Sequence, residues 1–210
     1  MSASNAGRVA IIGASGSGKS SYAKRFIHTA KRTVIFDPMD EYSAHGAARC
    51  TTIEQVQSAM RASFSGFRLA FVPRSGHEAT GLNRLSHLCL KAQEPYKGRR
   101  SGPTLNIVVE EMNTCFPLHG AEGKAPAFAE ICSRGRHSFI NVIGISQRFA
   151  EVSMRFRGNL TECVAFRCNA SDVKAAADAT NAPASDIRAL VNLHYIRSVQ
   201  GKITRGEIKF

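Results

Sequence analysis

The chain has 210 residues, 43% hydrophobic and 21% charged, so it carries enough apolar mass for a core and is not pervasively disordered. No run approaches the ~18 consecutive apolar residues of a membrane span, and "MSASNAGRVAIIG" lacks the basic-then-apolar layout of a secretory leader; a soluble, unexported protein is expected. The 28 Lys and Arg against 16 Asp and Glu leave a formal charge of +12, a balance that favours polyanionic partners.

At this length a single α/β domain over 1–210 is expected. The six cysteines form no CxxC pair and no Cys/His cluster at metal spacing, which predicts reduced thiols rather than a disulfide framework or a zinc site.

In chain order, the apolar run "RVAIIG" (8–13) predicts a first strand, and a helix follows from Lys19. "TVIFDP" (33–38) predicts a second strand, followed by a helix over 53–62, a strand at "FRLAFVP" (67–73) and a helix over 79–93. "PYKGRRSGPT" (95–104), rich in Gly, Pro and base, reads as a surface loop before the strand "LNIVVEE" (105–111). A helix over 124–133, the strand "INVIGIS" (140–146), a helix over 149–157 and the strand "ECVAFRC" (162–168) come next. Ser171 can cap a helix over 171–180, Pro183 ends or restarts the path, and about 193–210 reads as an antiparallel hairpin turning at Gln200–Gly201. Continuous apolar strands alternating with helices predict an α/β fold with a mostly parallel central sheet and helices on both faces.

"GASGSGKS", Gly13 to Ser20, fits G-x-x-x-x-G-K-[ST] between a strand and a helix, the context a phosphate-binding loop requires. Gly13, Ala14, Ser15, Gly16, Ser17 and Gly18 would wrap backbone N–H groups around phosphate oxygens, with Ser21 just inside the helix. Lys19 would reach the β- and γ-phosphates of ATP, and the Ser20 hydroxyl would ligate Mg²⁺. Glu110 and Glu111 end the strand at 105–111: one carboxylate can hold the Mg²⁺ shell, assigned to Glu110, and the other can polarise the attacking water.

With these motifs, "FDPMDEY", "VVEEMN", "SRGRHSFINVIGISQR" and the closing "ECVAFRC" strand, the chain resembles the FtsK/HerA superfamily of DNA-pumping ATPases from Arg8 to about Asp178. Among them it is most similar to the compact genome-packaging ATPases of icosahedral viruses with internal membranes, although Glu-Glu stands where that family usually has Asp-Glu. The resemblance implies a RecA/FtsK-like P-loop fold, and a sensor role for Gln147, with Ser146 a candidate to share it. It also implies a trans-acting arginine at Arg134 or Arg136 that reaches the neighbouring subunit's nucleotide. His137 is expected to be a structural hydrogen-bonder, and Asp37 and Glu41 to orient the site or a subunit contact.

A shared site implies a homo-oligomeric ring, a hexamer by resemblance, that binds DNA without sequence preference. DNA-contact candidates are Lys97, Arg99 and Arg100, then Arg155 and Arg157. The packaging function implies capsid vertex or portal proteins as partners, and a place in the host cytoplasm or at the virion vertex. The alternatives are a small-molecule P-loop kinase with "PYKGRRSG" as its lid, a cellular HerA/FtsK-like DNA translocase, and a non-enzymatic assembly protein stabilised by ATP.

Overall fold

The computed structural model describes residues 7–209. The apolar runs fold as the parallel strands β1 (Arg8–Ile12), β2 (Arg32–Phe36), β4 (Phe67–Phe71), β5 (Leu105–Val109), β6 (Ile140–Ser146) and β7 (Glu162–Phe166). A short parallel strand that the sequence did not announce, β3 (Ala48–Cys50), pairs with β4 at the sheet edge. At the other edge the antiparallel strands β8 (His194–Val199) and β9 (Lys202–Glu207) complete a nine-stranded sheet ordered β3-β4-β2-β5-β6-β1-β7-β8-β9. The β8–β9 turn uses Gln200 and Gly201 at φ 49° and 83°, both positive as a two-residue hairpin loop with the right twist needs.

Every residue of β2 and β5 is buried, as expected of central strands covered on both faces. Ala10, Ile12, Phe36, Val109 and Val142 point to the thicker layer. There they pack against α2 (Ile53–Ala62), α3 (Glu78–Gln93), α6 (Pro126–Arg134) and α8 (Val173–Thr180). Ile11, Ile35, Val108, Ile143 and Val164 point to the thinner layer, where Ala23 and Ile27 of α1 (Lys19–Thr29) and the buried Tyr42 cover them. The fold is therefore the expected mostly parallel α/β sheet of P-loop type with an antiparallel C-terminal edge. Among the described residues no helix is long and apolar enough to cross a membrane.

Two local readings are corrected. The expected helix over 149–157 is broken: a 3-10 turn, Phe149–Glu151, precedes the short helix α7 (Met154–Arg157). The cause is tertiary, since Val152 bridges Pro117, and Leu118 N–H and Ser153 N–H bond to Glu151 O and Phe116 O at 2.6 and 3.1 Å. Ser171 does not cap α8; its hydroxyl donates to Asp172 Oδ2 at 3.1 Å, and Asp172 occupies the N-cap position. The helix read over 124–133 is α6, which Pro126 opens at its first turn; the short helix α5 (Ala121–Lys124) before it was not anticipated. Two further short helices, α4 (Met112–Cys115) and α9 (Ala184–Arg188), were not anticipated, and Pro183 does restart the path as the N-cap of α9.

Candidate active site

Strand register decides what meets at the C-terminal edge of the sheet. Phe36 lies beside Val109, Val109 beside Gly144 and Ser146 beside Ile12, so the ends of β2, β5, β6 and β1 stand in a row. The residues that follow these ends are Asp37, then Glu110 and Glu111, then Gln147, then the glycine loop. Lys19, Ser20, Glu110, Glu111 and Gln147 line one cleft of about 120 Å³ there. Ligands bind outside the carboxyl ends of strands in open α/β sheets, and this cleft has that placement.

The glycine loop leaves β1 in a conformation few other residues adopt. Gly13, Gly16 and Gly18 have φ of 153°, 69° and 115°, and a Cβ on Gly13 would lie 2.7 Å from Ser17 Oγ and 2.8 Å from Phe166 Cβ. The loop is tethered to the sheet by Gly13 N–H to Ser146 O (3.3 Å) and Ala14 N–H to Arg167 O (2.7 Å). Leu193 N–H to Ser17 O (2.8 Å) adds a third tether. Lys19 Nζ donates to Ala14 O at 2.9 Å, and burial lowers its pKa against the raising influence of Glu110 and Glu111. The first-turn N–H groups of α1 have no intrahelical acceptor, so helix and loop together present donors suited to phosphate oxygens. Ser21 sits in the first turn of α1 behind Ser20.

The two acidic residues differ in setting. Glu110 is 8% exposed and accepts a hydrogen bond from the Tyr42 hydroxyl. Desolvation, with the charges of Glu111, Glu41 and Asp37 adding to it, pushes the Glu110 carboxyl up to about 7 against the lowering effect of the Tyr42 bond. Tyr42 is itself buried, and burial beside Glu110 pushes its phenol far above the usual range, so it stays a donor. The Asp37 carboxylate fixes that tyrosine by accepting the N–H groups of Glu41 (3.1 Å) and Tyr42 (2.8 Å). The expectation that Asp37 orients the site therefore has a specific form, whereas Tyr42, its beneficiary, was missed: a contact across 68 residues leaves no spacing signal.

Glu111 lies one residue beyond Glu110 in the left-handed region, φ 46° and ψ 47°, at the N-cap of α4. Backbone strain of this kind at a non-glycine residue clusters at functional sites. Gln147 Nε2 donates to Glu111 Oε1 at 2.8 Å. Ser146 turns elsewhere: it is buried and its hydroxyl donates to Asn113 Oδ1 at 2.9 Å, a polar partner that the sequence did not single out. Gly144 supports the arrangement from β6, because a Cβ there would lie 2.5 Å from Met112 Sδ, in the residue after Glu111.

The donor set suits Mg²⁺: the Ser20 hydroxyl and the Glu110 carboxylate are hard oxygen ligands that line the same cleft, and nucleotide phosphates would complete the shell.

Other predicted residues lie away from the cleft. Arg134 ends α6, and Arg136 and His137 lie on the 3-10 turn Gly135–Ser138 that enters β6, all exposed. They stand at the opposite end of β6 from Gln147, about 20 Å away for a strand of this length. Arg136 Nε lies 3.4 Å from His137 Nε2. Lys97, Arg99 and Arg100 are exposed on the neighbouring loop, where Lys97 pairs with Glu94 at 3.7 Å and Arg99 lies over the Tyr96 ring. Arg155 is held bidentately by Glu122 at 3.2 and 2.7 Å, while Arg157 donates to Ala150 O at 3.2 Å and covers the Phe149 ring.

The sequence model described as helicase HerA, central domain, matches residues 6–112, which include β1, the glycine loop and both acidic residues. The chain belongs to the HerA central-domain family. Solved structures extend the likeness of fold to the remainder. The genome packaging NTPase B204 from Sulfolobus turreted icosahedral virus 2, in complex with ATP-gammaS, matches with a TM-score of 0.78 at 17% identity, covering 99% of this chain and 100% of that one. B204, the DNA-packaging ATPase from Sulfolobus turreted icosahedral virus, matches at 0.72 and 18% identity over 96% and 97%. The cytoplasmic domain of the type VII secretion ATPase EccC from Thermomonospora curvata matches at 0.58 and 16% identity, over 95% of this chain and 25% of that one. No curated protein matches the chain.

Proposed function

We propose that this member of the HerA family is a Mg²⁺-dependent ATPase that drives DNA, as a ring of identical subunits, into a viral capsid. The observation that carries the reading is the convergence of Lys19, Ser20, Glu110 and the Gln147–Glu111 pair on one cleft at the glycine loop. The whole chain acts as one motor domain, with the β8–β9 hairpin as its edge.

Lys19 and the loop amides hold the triphosphate; Ser20 and Glu110 would hold the metal, which would supply positive charge to offset that of the phosphate oxygens. Glu111 accepts a proton from the attacking water as its oxygen bonds to the γ-phosphorus. The bond from that phosphorus to the β–γ bridging oxygen breaks, and ADP carries away the electron pair. Gln147, already bonded to Glu111, orients the water and registers whether the γ-phosphate is present. Arg134 or Arg136, too far from its own nucleotide, serves a neighbour's, where a positioned arginine can raise the rate ~10³-fold or more.

Support for the packaging role comes from the near end-to-end match to the viral packaging NTPase, a protein of similar extent. Capsid vertex or portal proteins would then be partners, and the host cytoplasm or virion vertex the place of action. The small-molecule kinase reading loses its lid: Gly98 N–H bonds to His137 O at 3.1 Å, so the loop over 95–104 lies at the end of the sheet opposite the cleft. A cellular translocase of the same family uses the same chemistry on different cargo.

The test is ATP turnover with duplex DNA, with single-stranded DNA and with a panel of small phosphate acceptors. Stimulation by DNA is the expected result; stimulation by a small acceptor alone would overturn the motor reading.

A further inference from the structure

The geometry points to the loop bearing Lys97, Arg99 and Arg100 as part of the contact between subunits, facing the nucleotide-loaded cleft of a second copy of this chain rather than DNA. This inference rests on the ring reading above and assigns that ring its second surface.

Two basic segments that are far apart in sequence form one edge. Gly98 N–H donates to His137 O at 3.1 Å, and a Cβ on Gly102 would lie 3.0 Å from Phe139 Cδ2, so the loop seats tightly on the turn that carries Arg136. The buried Gln93 amide ties them together from behind, donating to Pro103 O and Ser138 O at 2.8 Å each and accepting from Arg32 Nη1 at 3.0 Å. Arg8 bonds to Cys132 O and Ile131 O at 2.7 and 3.1 Å, closing the C-terminus of α6 so that Arg134 and Arg136 are not needed there. Among the described residues none of Arg99, Arg100, Arg134 and Arg136 is in an ion pair, whereas Arg155 is matched by Glu122.

The edge is thus basic, exposed and braced by a buried polar network. Sequence-independent DNA binding needs charge but little precision, whereas reaching a triphosphate in a neighbouring cleft needs preorganised cations. The complement is on the same chain: among the described residues Asp37, Glu41, Glu110 and Glu111 line the cleft against the single cation Lys19, and a bound triphosphate makes it more negative. A head-to-tail contact needs two unlike surfaces on one subunit, and these lie at opposite ends of β5 and β6 with opposite charge.

The test uses the full chain carrying R99A and R100A together, both at exposed loop positions. Three quantities are measured: binding of a fluorescent ATP analogue, oligomer mass against protein concentration with ATP-gammaS, and affinity for a duplex across a salt series. The expected result is unchanged nucleotide binding and duplex affinity, with the concentration for half-assembly raised at least about tenfold. Unchanged assembly with duplex affinity down about tenfold and a shallower salt slope would assign the loop to DNA and overturn the inference. No change in either quantity would overturn it as well. If the unaltered protein binds nucleotide but never assembles, the ring reading fails and takes this inference with it; if it assembles and the double variant assembles equally, only this inference fails.

Discussion

Gln147 and Glu111, from the ends of adjacent strands, are joined by a 2.8 Å hydrogen bond from the glutamine amide to the glutamate carboxylate. The bond aims the proposed base and couples it to β6, whose other end carries the basic turn. Replacing Gln147 by Ala should leave nucleotide binding within about twofold and lower kcat roughly 10²-fold by misplacing the water. Glu111→Gln should cost ~10²–10⁴ in kcat, also with nucleotide bound normally. Steady-state turnover beside equilibrium nucleotide binding separates these outcomes from a folding defect.

The burial of Glu110 has a consequence for stability. Its folded-state carboxyl is raised to about 7 from 4.5, so the folded protein holds that proton more tightly than the unfolded chain. This contribution is fully present below about pH 4.5 and is lost as pH rises to about 7. In Glu110→Gln no charge has to be buried. That variant should be more stable than the unaltered protein at pH 8, by up to about 3 kcal/mol, and the gain should vanish near pH 4.5. Denaturant unfolding without nucleotide at the two pH values checks the sign.

Tyr42→Phe removes the hydroxyl bonded to Glu110 while keeping the ring that fills the thin layer. Because that bond lowers the Glu110 pKa, its loss should move the acid limb of the kcat profile to higher pH. The Mg²⁺ concentration for half-maximal nucleotide-dependent fluorescence should rise, with metal-free nucleotide binding unchanged. A uniform loss of activity with no shift of the limb would assign Tyr42 a packing role alone.

Much of this arrangement was legible in the residues. The apolar runs that became β1, β2, β4, β5, β6 and β7 signalled a parallel sheet because central strands are buried on both faces. The glycine loop and the acidic pair were legible because their chemistry is local. What the sequence concealed is tertiary. Val152 pairs with Pro117 and breaks a helix whose composition looked continuous. Tyr42 finds Glu110, and Asn113 finds Ser146, only because β2, β5 and β6 are neighbours. The short β3 contains too few residues to show a period.

Gly144→Ala would push a methyl group toward Met112 Sδ and Phe156 Cζ, at 2.5 and 2.8 Å before relaxation. The cost should be about 1–3 kcal/mol in unfolding free energy. Because Met112 follows Glu111, kcat should fall more than nucleotide affinity does, which turnover and binding measured on the same preparation will show.

The central claim is that this cleft powers movement along DNA. Displacement of a third strand from a triplex-bearing duplex, followed with ATP present and absent, measures it most directly. The account predicts displacement that requires ATP, grows later as the duplex lengthens, and disappears in Lys19→Ala and Glu111→Gln. ATP turnover that leaves the triplex intact at every duplex length would contradict it.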